Sequence, residues 1–105
     1  IVPGLGLMRQ ALHTGTAGVA PQAGTVTAFP RSTADAVESG IVAALCGVIR
    51  QQYDLLATQA GMAPRCLLSG GDATRLQPHL GLEAEIAPML VLEGIARVAA
   101  EEDTG

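Results

Sequence analysis

Apolar positions recur along the chain at helical spacing in some stretches and alternate or cluster in others, with Gly- and Pro-rich breaks between them. Leu5, Met8, Ala11 and Leu12 share one helical face and predict a helix over Leu5 to Thr14. Ahead of it, Ile1–Val2 reads as the end of a strand stopped by Pro3–Gly4. From Thr14 to Arg31 the periodicity dissolves into Gly, Thr, Ala and Pro, which predicts a long loop, and such loops are commonly functional or mobile. Val37, Ile41, Leu45, Val48, Gln52 and Leu55 then step by three and four and predict a helix from about Ala34 to Gln59. Ser32 or Thr33 is its cap, Asp35 or Glu38 its first-turn acid, and Gly61 with Pro64 its end.

The second half is shorter-stepped. Arg65 to Ser69 reads as an apolar strand, Gly70–Gly71 as a turn and Asp72 to about His79 as a short helix. Leu82 to Ile86 alternates like an edge strand. Pro88 opens a last helix, Met89 to about Glu101, with Leu90, Ile95 and Val98 expected inward. The order predicts an α/β domain spanning residues 1–105, with helices packed on a small mixed sheet. Gly40, Ala43, Ala44 and Gly47 line one face of the long helix. An interior glycine costs up to about 1 kcal/mol against alanine, so close approach of another element is the expected return, in the core or at a subunit interface.

Composition sharpens this picture. Of 105 residues 49% are hydrophobic and 15% charged, the mean hydropathy is +0.36, and Tyr53 and Phe29 are the only aromatics. Small aliphatics bury little area each, so some apolar surface is expected to meet another domain or a second copy. An alanine-rich compositional bias explains the same figures without an interface. The net charge is −4 and the chain has no lysine, which excludes the cationic clusters that nucleic-acid binding needs. No apolar run reaches the ~20 residues of a membrane span, and no signal peptide is recognisable, so neither nucleic acid nor membrane is an expected partner. The opening Ile1, in mid-pattern, reads as the tail of something longer. Cys46 and Cys66 lack a CxxC partner and are expected as buried free thiols, in keeping with a reducing cytoplasm.

Candidate chemistry is sparse. In "LLSGGDATRL", Gly70 and Gly71 after a strand allow a sharp turn and close backbone approach, and the following helix offers N–H groups to an anion. Asp72 either caps that helix or positions a ribose hydroxyl or metal. A phosphate site and a plain tight corner both satisfy the motif. "LHTGT" supplies His13, Thr14 and Thr16 in a flexible context, and Thr33 is either a cap or a hydroxyl for a ligand carboxylate. His13 and His79 have no spaced partners for zinc, and no metal site is expected. Asp35, Glu38, Asp54 and Glu83 fit solvated positions, and no catalytic residue is visible in this chain.

Taken in order, "IVPGLGLMRQALHTGT", "PRSTADAVESGIVAALCGVI", "LLSGGDA" and "APMLVLEGIA" resemble the C-terminal half of a type III pantothenate kinase, a family also called Bvg accessory factor. The resemblance implies a ribonuclease H-like C-terminal domain of the actin-like ATPase fold. It implies a cytoplasmic homodimeric enzyme with pantothenate at the subunit interface. That enzyme phosphorylates pantothenate to 4'-phosphopantothenate with Mg-ATP and a monovalent cation, potassium or ammonium, in the first step of coenzyme A biosynthesis. Thr33 matches the threonine that reaches the pantothenate carboxyl region from the neighbouring subunit. Gly15, Thr16 and Val19 fall where the family's loop closes over pantothenate, and His13 lies two places before a position at which some members carry histidine. Gly70, Gly71 and Asp72 match the glycine pair flanking the nucleotide cleft. The family's D-x-G-N-T, G-x-D-R and D-x-G-T motifs and its acidic potassium ligand belong to the N-terminal domain, absent from this sequence. The chain alone is therefore expected to be inactive. The family's second name leaves open a non-catalytic, transcription-related interaction module.

Overall fold

The computed structural model describes residues 1–15 and 24–104. Its elements are α1 (Leu5–Gly15), α2 (Thr33–Ala60), β1 (Leu67–Leu68), α3 (Ala73–Leu76), a 3₁₀ turn (Gln77–His79), β2 (Glu85–Ile86) and α4 (Leu90–Thr104). The α/β class holds. Ile1–Val2 is not a strand: it lies outside regular structure and Ile1 is fully exposed. The expected mixed sheet is a parallel pair, with Leu67 opposite Glu85 and Leu68 opposite Ile86. Its ladder is carried by the Glu85 N–H to the Cys66 carbonyl at 2.9 Å and the Ala87 N–H to the Leu68 carbonyl at 2.8 Å. Both strands are two residues long, shorter than the apolar runs that suggest them.

Helix α2 organises the rest. Ser32 is its cap: extended backbone (φ −125°, ψ 158°) turns its Oγ to accept the Asp35 N–H at 3.2 Å. Thr33 is thereby the first helical residue and not the cap. Gly61, left-handed at φ 70°, closes the other end by donating its N–H to the Ala57 carbonyl. The core is formed by Leu5 from α1, Ile41, Val42, Leu45 and Cys46 from α2, and Leu80 after the 3₁₀ turn. Every α2 contribution lies in the first half of that helix.

Segment 24–30 is pinned along the same half. Asp35 Oδ1 accepts the Thr25 N–H at 2.8 Å, and Ser39 Oγ accepts the Thr27 N–H at 2.9 Å. Gly24 sits so close to α2 that a Cβ there would overlap the Ala34 carbonyl. Glu38 is not solvated, as its helical position suggests, but 7% exposed. The Arg9 guanidinium from α1 grips it, with Nη2 at 2.8 Å from both carboxylate oxygens and Nε at 3.2 Å from Oε2.

Much apolar surface stays open. The small-residue face is not core: Gly40, Ala43 and Ala44 are exposed, and a Cβ at Gly40 or Gly47 would meet nothing within 4 Å. Leu90, Ile95 and Val98 of α4 are not inward either; all are exposed, along with Val91 and Leu92. The radius of gyration is 17.1 Å, against about 13 Å for a compact domain of this length. No helix among the described residues is long and apolar enough to cross a membrane.

Cys46 is buried and free, its thiol pushed up by desolvation and partly restrained by the Arg50 charge, whereas Cys66 is only half-buried. At neutral pH a thiolate-directed alkylating reagent should label Cys66 first and Cys46 only as the protein opens; peptide mass mapping that finds equal early labelling contradicts this packing. The two ion pairs differ in the same way. Arg9–Glu38 is largely shielded, while Arg65–Glu85 is mostly exposed at 75% and 59%. Glu38→Ala should cost about 2–4 kcal/mol by leaving a half-buried guanidinium unpaired. Arg65→Ala should leave the denaturant midpoint almost where it was, because its pair is open to water and screened by salt.

Candidate functional site

Helix α1 lies along the first half of α2, and the two leave an open groove of about 920 Å³ on their outer side. Leu7, Met8, Ala11 and Leu12 form one wall, Thr33, Ala36, Val37, Gly40, Ile41 and Ala44 the other, with Pro3 at one end. The small residues at 36, 40 and 44 make the α2 wall shallow and let the groove stay wide. Thr33 is the one side chain lining it that carries a hydrogen-bonding oxygen or nitrogen. It stands at the N-terminus of a 28-residue helix, where unpaired N–H groups and the helix dipole favour negative charge. The groove is thus apolar along its length and polar at one end, a shape for a ligand with an apolar body and an anionic or carbonyl terminus.

The structure brings Thr33 and the last turns of α1 to the same groove through Leu12. Gly15 ends α1 just beyond, while Thr16 and Val19 lie outside the described residues. Thr14 Oγ bonds back to the Gln10 carbonyl at 3.0 Å, a local helix contact. His79 stands apart in a second concavity of about 630 Å³, with Thr27, Ser39, Cys46 and Arg50. His13 does not line either hollow.

Gly70, Gly71 and Asp72 also line neither hollow. Gly70 takes φ +96°, a conformation that L side chains rarely adopt, and its carbonyl accepts the Ala73 N–H at 3.3 Å. Asp72 occupies the N-cap position of α3 but makes no side-chain cap; its carbonyl, not its carboxylate, receives the Arg75 and Leu76 N–H groups. Helix α3 has only four residues, so its dipole is weak. The turn is a tight corner whose carboxylate takes no part in capping the helix it precedes. Further along the strand pair, the Glu85 hydrogen bond and charge raise the Arg65 guanidinium above its ordinary range. No group of three or more His, Cys, Asp or Glu among the described residues is placed to hold a metal ion.

Sequence reasoning missed the Arg9–Glu38 pair between the two helices that wall the groove. Nothing in a linear pattern marks it, because its partners are 29 positions apart. The local signal is slight: an acid one residue after an inward Val37, on the flank of the buried stripe.

Comparison with known proteins places these residues in context. The family model described as type III pantothenate kinase matches residues 1–55, the span that contains both walls of the groove. A type III pantothenate kinase of Thiobacillus denitrificans is 57% identical over 99 residues, covering 94% of this chain and 41% of that protein. Its counterpart in Chromobacterium violaceum is 47% identical over 100 residues, covering 94% of this chain and 42% of its own length. That of Leptothrix cholodnii is 42% identical over 101 residues, covering 96% and 38%. The chain spans about two fifths of the length of these relatives.

The two glycines of the corner should respond differently to a methyl group. Gly70→Ala forces an alanine into the left-handed region and should cost about 1–2 kcal/mol. Gly71 has neither a positive φ nor a neighbour within 4 Å of an added methyl, so Gly71→Ala should stay within about 0.5 kcal/mol. Equal losses in thermal unfolding contradict the geometry.

Proposed function

The chain belongs to the type III pantothenate kinase family, and on that premise we propose that the protein containing it transfers the γ-phosphoryl group of ATP to the primary hydroxyl of pantothenate. The observation that carries this reading is the family match over residues 1–55, which contains the whole of the α1–α2 groove. In this reading the domain is the ribonuclease H-like C-terminal half of an actin-like ATPase fold in a cytoplasmic homodimer. Pantothenate lies where the groove of one subunit meets the other. Thr33 donates its hydroxyl to the pantothenate carboxyl region, supported by its place at a long helix N-terminus. Gly15, Thr16 and Val19 belong to the loop that closes over the substrate. Open surface at Gly40 and Ala44, beside Thr33 on the groove wall, is what a close subunit approach requires.

Gly70, Gly71 and Asp72 would line the nucleotide side, where the corner at Gly70 brings bare backbone to the surface. Phosphoryl transfer depends on positioning and charge neutralisation. Mg²⁺ and the monovalent cation would act beside the phosphates, and no group of three or more His, Cys, Asp or Glu among the described residues is placed to hold a metal ion. We assign them, with the catalytic base, to the remainder of the longer protein. This chain's own contribution is to bind and orient pantothenate.

The whole protein should release ADP only when pantothenate is present, and the isolated chain should not. Thr33→Val keeps shape and removes the hydroxyl, so it should raise the pantothenate KM by roughly tenfold, the worth of one hydrogen bond to a charged group. A folded whole protein that turns over ATP without ever phosphorylating pantothenate would defeat this reading.

A further inference from the structure

The Arg9–Glu38 pair has a place in the structure that stability alone does not explain. Neither residue lines the groove, yet each is flanked by residues that do: Met8 and Ala11 on α1, Val37 and Gly40 on α2. The pair is shielded, with side chains 23% and 9% exposed, and is bonded through both carboxylate oxygens. Replacing a buried ion pair with apolar residues of similar volume is often neutral or stabilising, so its effect lies in geometry more than in energy. A forked guanidinium–carboxylate contact accepts a narrow range of orientations. Among the described residues Leu5 is the one α1 side chain buried in the core, with Met8 partly buried beside it, and apolar contact is non-directional.

We propose that Arg9 and Glu38 are positioning residues that set the rotation and axial slide of α1 against α2, and so place Thr33 relative to the opposite groove wall. Thr33 lies five residues before Glu38, about 7.5 Å along the same rigid helix. A turn of either helix at the pair therefore moves the polar end of the groove against Leu12. This inference rests on the reading that the groove takes pantothenate at its Thr33 end. It predicts that the pair governs pantothenate recognition while leaving the nucleotide side alone.

The test is steady-state kinetics of the whole protein with Arg9→Met and Glu38→Leu combined, and separately with Arg9→Lys. The double variant should fold with an unchanged or higher Tm, and its pantothenate KM should rise roughly tenfold, since ångström-scale misplacement carries penalties of that order or more. Its kcat and ATP KM should stay within about twofold. Arg9→Lys keeps the charge but not the fork and should fall between the two. An unchanged pantothenate KM in the folded double variant overturns the proposal, as does a parallel rise in the ATP KM. If the double variant does not fold, an unchanged pantothenate KM in Arg9→Lys overturns it equally. A wild-type protein that never phosphorylates pantothenate fails earlier, and refutes the functional reading itself.

Discussion

The hydrophobic core of this chain is built against the first half of one helix. Leu5, Leu80 and the 24–30 segment all meet α2 between its cap and Cys46. Beyond Cys46 the helix continues for more than three turns with Val48, Leu55 and Leu56 exposed. That constraint decides where a site can be. A groove needs two walls held at a fixed separation, and α1 against the first half of α2 supplies them. The shielded Arg9–Glu38 pair joins two helices whose other packing is apolar, with Leu5 and Met8 in one cluster with Val37, Ile41, Val42 and Leu45.

The helices are legible in the sequence because their signals are local. Ser32, the step of three and four through Leu45, and Gly61 mark α2 to within a residue at each end. Which of Ser32 and Thr33 caps is not legible, since both are good caps and the backbone alone selects between them. The choice matters: with Ser32 bound to the Asp35 N–H, Thr33 is placed on the groove wall. Strands are overread from the same pattern because an apolar run becomes a strand only where a partner runs beside it. Leu67–Leu68 has Glu85–Ile86, whereas Ile1–Val2 has no strand partner among the described residues. The inward face expected of α4, and the core packing that is one of two readings of Gly40 and Ala44, fail for a related reason. Periodicity identifies a face that prefers burial, but what covers it is a tertiary fact.

The glycine corner shows how far a motif reads without its family. Strand, Gly-Gly, acid and helix are all visible in "CLLSGGDATRL", and the structure contains each of them. What it removes is the local argument for an anion site, since α3 is a single turn and Asp72 does not cap it. The nucleotide role proposed for Gly70 to Asp72 therefore draws on the family resemblance and on the open backbone at Gly70, not on the helix dipole.

The groove and the corner also differ in what they can discriminate. A bare backbone corner recognises phosphate or ribose through groups common to every nucleotide. The α1–α2 groove has shape along its length and one hydroxyl at its end. Apolar length separates ligands by only about 1–3 kcal/mol per methylene, whereas a hydrogen-bonding group at a fixed place rejects analogues lacking its partner far more strongly. If the groove takes pantothenate as proposed, selectivity would depend on how firmly Thr33 is held, more than on the area of the walls. Thr33 is on α2 and the opposite wall is on α1, so that firmness is a property of the contact between the two helices. What gives that contact a direction is the forked bond between Arg9 and Glu38.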